Sequence, residues 1–516
     1  MKCTKFFKDG MLLSAVGIAM RTAGIFLASL VSRKIGAVGV GLNSLIMNIY
    51  SFALTFSTAG ISLAATSLTA AMIGRGERAN TPSVLRGAFA YSFIFSSLGT
   101  ALLAMLSGRV GDAVVGDASA GTCLIILAFS LIPTAISSVV CGYFIGIGRV
   151  SHNASIVAAG QALRIVLTVI LLSGVNSPNT GDALLALAIS VTLTESITAA
   201  LALIELGIEL IRGRYGRGRE RTFGAVFRKA FPLAASAYVR SALLTLEHAI
   251  IPGRLLLYGE EGTEALASYG YLHGMALPII LYPMVLLSSF SSLLVPEFAE
   301  AKAGGREDRL KNIAGRAIGA TLAFGGAAFA FLFSFSEELG YIVYNSYDAG
   351  YYIALLSPVV PIMYLDHVAD NMLKGIGEEV YSMWVNILDA LLSLALVFFL
   401  LPVFGIAGYA LVIIIMEGFN FLLSYIRLRK RVKFSVKLIS SFLVPSVAML
   451  AFSLFARSLV RVRGREVTLG ILFTESTVAL SLFVCFLLLA SFFRRARSDK
   501  RVEYHHKRNP EEKSVG

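Results

Sequence analysis

The sequence predicts an all-α polytopic membrane protein, and three observations lead to this class. Of its 516 residues, 56% are hydrophobic and only 15% are charged, with a mean hydropathy of +0.75. A soluble domain carries about 25% charged residues, so a soluble fold of this size could not bury so much apolar surface. The apolar residues also form long runs without charge, and one spanning helix needs about 20 of them. The length therefore allows roughly a dozen or more spans joined by short loops.

Runs without Asp, Glu, Lys or Arg mark the spans most clearly. The cleanest runs are 35–74, 87–108, 118–148, 265–296, 317–336, 390–416, 438–456 and 476–493. Other apolar segments contain one or two charges. Both kinds together predict about fourteen transmembrane helices, at 11–32, 42–72, 87–107, 121–147, 155–174, 184–211, 231–255, 265–295, 313–336, 350–374, 382–401, 405–426, 438–457 and 470–493.

These helices group into two lobes of six followed by a pair. The basic N-terminus MKCTKFFKDG lacks a small-residue cleavage signal after its apolar run, so we expect the first helix to be retained. The N-terminal lobe covers 1–211, and a basic, glycine-containing linker, 212–230, leads to the C-terminal lobe, 231–430. The last two helices lie within 431–493. The basic tail, 494–516, is expected to be disordered in the cytoplasm, near anionic lipid.

The positions of the basic residues predict the orientation, because cytoplasmic loops are enriched in Lys and Arg. With the N-terminus inside, the cytoplasmic segments hold 33 Lys and Arg and the outer loops hold 8. The run RVRGRE at 461–466 lies on the outer side and opposes the rule. An even number of spans then places both termini in the cytoplasm.

Three markers indicate that the two lobes are repeats. The Gly-Ile-Gly run at 146–148 recurs at 375–377, an offset of 229. Glu195 in the sixth helix corresponds to Glu417 in the twelfth, and Arg21 in the first corresponds to Arg240 in the seventh. We therefore expect pseudo-twofold symmetry about an axis along the membrane normal, with a central cavity between the lobes. Coincidence among apolar helices is the alternative explanation.

Several function classes are excluded or disfavoured by what the sequence lacks. The cysteines Cys3, Cys123, Cys141 and Cys485 have no disulfide or zinc spacing. There is no P-loop and no extramembrane segment long enough for a catalytic domain. The net charge of +13 follows from the loops, so it does not indicate nucleic-acid binding. We expect neither an enzyme nor a bound metal or cofactor.

Two arginines inside predicted helices are the leading candidates for substrate binding. Arg21 and Arg240 each lie about ten residues into a helix, and charges in the hydrocarbon normally face a cavity or a partner. If the lobes are symmetric, the two guanidinium groups converge on the central cavity. Two arginines there could bind a phosphate or diphosphate bidentately and would stay charged when desolvated. The alternative is that each arginine binds helix carbonyls or a nearby carboxylate.

Three further polar residues complete the candidate site. Glu247 lies seven residues from both Arg240 and Arg254 on one helix face, so it could pair with either, permanently or in one conformation. His273 could be a proton-sensitive cavity group or a histidine bonded to the backbone. Arg164 is expected more as the ion-pair partner of Glu195 than as a substrate contact. The group Asp366, His367, Asp370 and Lys374 is interpreted as helix-terminus or gate polarity.

Four stretches carry a resemblance to a known family. RKIGAVGVGLNSLIMNIYSFALTFSTAGISLA (33–64), RSALLTLEHAIIPGRLLLYG (240–259), GMALPIILYPMVLLSSFSSLLVPEFAEA (274–301) and KGIG (374–377) resemble the stage V sporulation protein B family. That family lies in the polysaccharide-exporter branch of the multidrug/oligosaccharidyl-lipid/polysaccharide flippase superfamily. The resemblance implies two lobes, a central cavity and transport of a polyprenyl-diphosphate-linked sugar, such as a peptidoglycan precursor, in a bacterial cell membrane.

The chain also departs from its relatives. Related lipid II flippases carry several cavity arginines, and here Leu27, Thr55 and His273 stand at such positions while Leu42 replaces an acid. The multidrug extruders of the superfamily typically couple through an acid in the first helix, which here holds Arg21 and no acid after Asp9.

The sequence therefore predicts a flippase or exporter that works by alternating access, with a lipid-linked sugar diphosphate and membrane lipid as its partners. A cation-coupled multidrug antiporter is the alternative. Coupling to a proton or sodium ion through Glu247 or His273 stays open, and we expect a monomer.

Overall fold

The computed structural model describes residues 2–77, 80–111, 118–175, 179–212, 222–436, 438–460 and 470–484. Within these ranges it consists of helices and short connections, without a β-strand. The helices of the first half are α1 (Lys2–Thr58), α2 (Ile61–Gly74), α3 (Pro82–Val110), α4 (Ala118–Ala128), α5 (Leu131–Gly146), α6 (Val150–Ser173) and α7 (Thr180–Arg212).

The second half is more finely divided. Its α-helices are α8 (Phe223–Tyr258), α9 (Gly262–Tyr269), α10 (Leu277–Ile280), α11 (Met284–Ala303), α12 (Glu307–Ser334), α13 (Ser336–Tyr344), α14 (Tyr347–Leu356), α15 (Val360–Gly375), α16 (Glu379–Arg431), α17 (Val444–Val460) and α18 (Gly470–Val484). A π-helical turn, Gly270–Ala276, joins α9 to α10, and another, Ile439–Leu443, precedes α17.

The two longest helices are hairpins. A straight helix of 53 residues would be about 80 Å long, far more than the hydrocarbon thickness of about 30 Å. In α16 the chain reverses at Gly405, which has φ 58° and ψ −147°. The hydroxyl of Tyr381 in its first arm donates to the carbonyl of Leu423 in its second, at 3.1 Å. A similar break at Gly36, with φ 66°, divides α1, because only glycine adopts such angles without strain.

The membrane class predicted from the sequence is confirmed. Nine helices of the described ranges are long and apolar enough to cross a membrane, and both hairpins are among them. Large apolar side chains cover the outside of these helices, such as Met105, Trp384 and Phe399, which are 62–79% exposed. The number fourteen stays a prediction.

Four predicted spans are interrupted rather than continuous. The span 42–72 breaks between α1 and α2, where Gly60 has φ 75°, and the span 121–147 breaks between α4 and α5. The span 265–295 breaks between α10 and α11 beside Pro283, and 350–374 breaks at the 3-10 turn Ser357–Val359. Proline lacks the amide hydrogen that continues a helix, which explains the last two breaks. In each half, therefore, the second and fourth spans are the interrupted ones.

Equivalent turns and ion pairs support the proposed repeat. Gly148 after α5 has φ 79°, and Gly377 after α15 has φ 77°. The residue after Gly148 is Arg149, which pairs with Glu209 at the end of α7. The residue after Gly377 is Glu378, which pairs with Arg431 at the end of α16, at 2.6 Å. The same ion pair thus occurs in both halves with its charges exchanged.

The first half packs against the second through very close helix contacts. A Cβ atom at Gly41 in α1 would lie 2.1 Å from the carbonyl oxygen of Leu266 in α9. A Cβ at Gly270 would lie 2.2 Å from the carbonyl oxygen of Ala37. Small residues allow such backbone contact between membrane helices, and here they hold the second arm of α1 against the eighth predicted span.

Replacing Gly41 by alanine should therefore destabilise the contact between the lobes. Because the new methyl group meets backbone rather than a movable side chain, we expect a loss of about 1–3 kcal/mol and a lower melting temperature in detergent. The control is Gly207→Ala in α7, where a Cβ meets nothing within 4 Å. Equal melting temperatures for the parent and Gly41→Ala would contradict this packing.

The ion pairs that Glu378 forms with Arg427 and with Arg431 predict that the stability of the protein depends on pH. Hydrogen bonds from Arg427, at 2.6 and 3.1 Å, hold the pKa of Glu378 below its ordinary value of 4.5. A carboxyl whose pKa is lowered by folding stabilises the protein above pH 4.5 and loses that contribution as the pH falls through the lowered value. Glu378→Gln should thus melt below the parent at pH 7, with a gap that closes below pH 4.5.

The matched control for this prediction is Glu379→Gln, because Glu379 is the exposed neighbour of Glu378. Melting curves from pH 7 to pH 3 give the comparison. A gap between Glu378→Gln and the parent that stays constant over this range would show that the carboxylate charge does not act as described.

Candidate functional site

Three cavities lie beside charged residues within the helix bundle. The asparagine cavity, of about 320 Å³, is bounded by both arms of α1 and by α6 and α7, and Asn43, Gln161 and Arg164 are among its lining residues. The threonine cavity, of about 350 Å³, lies between α5, α6 and α7, and Met20 of α1 and Ser62 of α2 also line it. It is named after Thr134, Thr194 and Thr198 among its lining residues. The Arg240 cavity, of about 420 Å³, lies between the second arm of α1, α8 and the first arm of α16. These volumes fall in the range of small-ligand sites.

Arg164 lines two of these cavities. It is half-buried in α6, and together with Gln161, one turn earlier, it borders both the asparagine and the threonine cavity. The expected ion pair with Glu195 is not formed, since no ion pair among the described residues includes Arg164. Glu195 instead accepts a hydrogen bond from Thr134 at 3.1 Å. The Arg164 guanidinium is therefore available to a ligand in either cavity.

Arg240 faces the third cavity but in a different electrostatic setting. It is exposed on α8, and the cavity around it has hydroxyl and amide groups from Ser51, Thr55 and Asn386. No ion pair in the described ranges includes Arg240. Three carboxylates nevertheless lie within its electrostatic reach: Asp366, Asp389 and Glu417. Arg240 thus has acidic neighbours but no ion-pair contact in the described ranges.

The surroundings of Arg21 differ from those of Arg164 and Arg240. It is half-buried in the first arm of α1 and interacts electrostatically with Tyr344 at the end of α13. It does not line any of the three cavities described above. None of these three cavities is lined by both Arg21 and Arg240, and the arginines that line them are Arg164 and Arg240. The convergence of Arg21 and Arg240 on one central cavity stays a prediction.

The second arm of α1 separates the two cavity arginines. Met47 lines the asparagine cavity, whereas Ser51, one turn later, lines the Arg240 cavity. Tyr50 lies between Met47 and Ser51 in the sequence. Its hydroxyl is hydrogen-bonded to Ser130 at 2.7 Å and lies within electrostatic reach of Arg164. Two cationic sites therefore flank one helical arm.

Glu247 does not pair with an arginine on its own helix face. Its side chain is 5% exposed and accepts a hydrogen bond from Ser393 of α16 at 2.9 Å. The guanidinium of Arg254 lies 3.4 Å from the centre of the Phe398 ring instead. No ion pair among the described residues joins Glu247 to Arg240 or Arg254, so a permanent pair is not observed, and pairing in another conformation stays a prediction. Seven-residue spacing placed the side chains on one face, but α16 supplies nearer partners for both.

His273 belongs to an aromatic cluster that sequence reasoning missed. Its ring stacks on Tyr269 at 5.2 Å and meets His248 edge-on at 4.4 Å. The hydroxyl of Tyr269 accepts a hydrogen bond from Asn48 at 3.0 Å and is bonded to Nδ1 of His248 at 3.2 Å. His248 follows Glu247 directly in the chain, which was the one available signal. No signal in the sequence linked Asn48 to this cluster, because Asn48 comes from the other lobe.

The polar group at the end of α15 has local partners. Asp370 forms an ion pair with Lys374 at 2.6 Å, and His367 forms a hydrogen bond with Asn371 at 3.3 Å. Within the described ranges, no group of three or more His, Cys, Asp and Glu side chains is arranged to hold a metal ion. Asp366 of the same predicted group is instead within electrostatic reach of Arg240, and the gate or helix-terminus role of the group stays a prediction.

Comparison with known proteins gives two family matches and related sequences. The model of the polysaccharide biosynthesis protein family matches residues 6–302, and the MatE model matches residues 253–399. Stage V sporulation protein B of Bacillus subtilis (strain 168) is 25% identical over 430 residues, which cover 79% of this chain and 80% of the relative. Sporulation protein YkvU of the same organism is 22% identical, over 77% of this chain and 88% of its own length.

Solved structures share the fold. An inward-facing multidrug resistance MATE family transporter of the MOP superfamily superposes with a TM-score of 0.68 at 16% identity, covering 81% of this chain and 98% of its own. The lipid II flippase MurJ in an inward closed conformation also gives 0.68 at 16% identity, covering 94% and 99%. An outward-facing MATE transporter gives 0.61 at 15% identity, covering 81% and 93%. At these identities the likeness establishes the architecture.

Proposed function

Because the chain belongs to the polysaccharide biosynthesis protein family, on a match of more than half its length, we propose that it is a membrane flippase. It moves a polyprenyl-diphosphate-linked oligosaccharide, a peptidoglycan or polysaccharide precursor, from the inner to the outer leaflet by alternating access. The description of its family, polysaccharide biosynthesis protein, and the name of the structurally similar lipid II flippase MurJ support this substrate class.

One observation carries the proposal: guanidinium groups without ion-pair partners in the described ranges line cavities between helices of the bundle. Arg164 and Arg240 have this arrangement in the described ranges. A charge at the centre of a bilayer is costly and normally marks a substrate pathway. Arginine binds phosphate oxygens with two parallel hydrogen bonds and cannot lose its proton on desolvation. Arg164 and Arg240 bind the diphosphate in turn, and Arg21, which lines neither of their cavities, has a secondary role.

The carboxylates around Arg240 give the site a way to release its ligand. When Asp366, Asp389 and Glu417 are charged, they compete with the diphosphate for the guanidinium. A proton or sodium ion that neutralises them would favour binding of the anion. Glu247, which has one carboxylate oxygen without a hydrogen-bond partner in the described ranges, and the nearby His273 are the groups through which such coupling would act.

The membrane potential also favours this direction of transport. Moving one negative charge outward across an inside-negative membrane releases about 2.3 kcal/mol per 100 mV. This drive acts on the charged headgroup as it crosses while the lipid tail stays in the bilayer, and it does not depend on the orientation of the protein. The basic loops predict that both termini lie in the cytoplasm. One copy of the chain contains both lobes, so a monomer suffices.

A second function has its own support. The MatE match at 253–399 and the three carboxylates near Arg240 suit a cation-coupled multidrug antiporter. That function needs a net negative cavity. Arg164, whose two cavities are bordered by one carboxylate, Glu195, argues against it in the N-terminal half.

Removing either cavity arginine should slow translocation. We expect Arg164→Ala and Arg240→Ala to lower the initial rate of headgroup translocation roughly 10- to 100-fold, because each loses charge-assisted hydrogen bonds to the diphosphate. Arg21→Ala should have a smaller effect. The assay uses proteoliposomes with a polyprenyl-diphosphate disaccharide that is fluorescent on its sugar, and an impermeant quencher outside.

The matched control is Arg316→Ala, an exposed arginine in α12, for which we expect the parental rate. Parental rates for both Arg164→Ala and Arg240→Ala would refute the diphosphate site. Efflux of an organic cation driven by a pH gradient, without translocation of the lipid, would establish the antiporter instead.

A further inference from the structure

The asparagine cavity contains carboxamide groups that are free to bind a ligand. Asn43, on the second arm of α1, and Gln161, on α6, line this cavity, and both residues are half-buried. Within the described ranges neither side chain makes a hydrogen bond. None of their polar atoms belongs to the buried atoms that lack a partner. The two carboxamides therefore keep accessible surface on the cavity wall, where a bound molecule can reach them.

The hydroxyl groups of the same cavity are already engaged. Ser44 donates its hydrogen to the carbonyl four residues earlier at 2.8 Å. Ser190 donates to the carbonyl three residues earlier at 2.8 Å, which leaves Thr168 as the donor in the 2.9 Å bond between these two hydroxyls. A hydroxyl has only one hydrogen. The free side-chain donors among the described lining residues are therefore the two carboxamides and the guanidinium of Arg164.

Charge distinguishes the asparagine cavity from the threonine cavity. No acidic residue of the described ranges lines the asparagine cavity, whereas Glu195 lines the threonine cavity. Arg164 borders both, so a phosphate bound to its guanidinium meets less repulsion from that carboxylate on the asparagine side. Much of the remaining wall is apolar, with Leu27, Met47 and Leu187 among its residues. The asparagine cavity therefore combines one cation, neutral amides and an apolar surface.

A sugar has the chemistry that suits this combination. Each carboxamide both donates and accepts hydrogen bonds, as the hydroxyl and N-acetyl groups of a sugar do, and the carbon–hydrogen face of the ring packs on apolar side chains. We propose that the asparagine cavity binds the sugar next to the diphosphate of the translocated lipid, and that Asn43 distinguishes sugar-bearing from sugar-free lipid. This inference rests on the proposed flippase function, in which Arg164 holds the diphosphate.

The position of the cavity along α6 gives the order in which the headgroup crosses. Thr168, which lines the asparagine cavity, follows Arg164 on α6, whereas Asn153, which lines the threonine cavity, precedes it. In the predicted orientation this helix runs from the cytoplasm outward, so the asparagine cavity lies on the outer side of Arg164. The sugar therefore moves outward ahead of the diphosphate.

The test compares two lipids on the full-length chain. Equilibrium binding in nanodiscs and translocation in proteoliposomes are measured with polyprenyl diphosphate and with the same lipid carrying an N-acetylhexosamine disaccharide. Asn43→Leu keeps the approximate size of the side chain and removes its amide. The preference of this variant for the sugar-bearing lipid should fall roughly 5- to 50-fold through the lost hydrogen bonds, while its affinity for polyprenyl diphosphate stays parental.

Asn153→Leu is the matched control, because Asn153 is a half-buried asparagine that lines the threonine cavity. It should keep the parental preference. Asn43→Ala removes the amide without adding apolar bulk and should lose the same preference as Asn43→Leu. Melting temperatures show whether each variant is folded.

Three results would overturn the sugar site. The first is equal affinity of the parent for the two lipids. The second is an unchanged preference in both Asn43 variants, or an equal loss of affinity for both lipids. The third is a loss of preference in Asn153→Leu without one in the Asn43 variants, which would move the sugar to the threonine cavity.

The two proposals fail in different ways. If the parent shows a preference that depends on Asn43 but translocates neither lipid, the flippase function fails and the sugar site stands. If the parent translocates the sugar-bearing lipid and both Asn43 variants keep the full preference, the flippase function stands and the sugar site fails. If the parent binds neither lipid, both proposals are overturned.

Discussion

The cost of an uncompensated charge or polar group inside hydrocarbon governs this molecule. An arginine at the centre of a membrane helix costs about 3 kcal/mol even by the most lenient scale, and backbone groups there must bond within helices. The chain satisfies its backbone groups by forming helices throughout its described ranges. It lowers the cost of its buried charges because Arg164 and Arg240 face cavities lined by hydroxyl and amide groups. Function concentrates where the compensation is left incomplete.

The two halves solve this problem differently although they share an architecture. At their helix ends they use one ion pair with exchanged charges, Arg149 with Glu209 and Glu378 with Arg431. In the interior, Arg164 has a single carboxylate beside its cavities, whereas Arg240 lies among three. An exact repeat would have given two equal anion sites. Under the proposed function, this asymmetry gives one half that favours an anion and one whose affinity for the anion depends on the charge of its neighbours.

The close contact between the lobes connects these sites. The second arm of α1 lies between the two cavity arginines, and at Gly41 it touches the backbone of α9. Asn48 on the same arm bonds to Tyr269 in the cluster that holds His248 and His273. Because one rigid element borders both cavities and the contact with the other lobe, a movement of that arm changes all three together. Alternating access requires such mechanical coupling.

The sequence by itself determined the membrane class, the approximate positions of those spans that the candidate membrane helices match, and the arginines that lie within predicted spans, because hydropathy and charge are local properties. It also suggested the repeat, through Gly148 and Gly377. Tertiary structure decided what each charged or polar group contacts: Glu247 bonds to Ser393, Arg164 remains without an ion pair in the described ranges, and Asn43 lines a cavity shared with Gln161 of another helix. Those outcomes depend on side chains brought from distant helices, and periodicity along one helix carries no information about its neighbours.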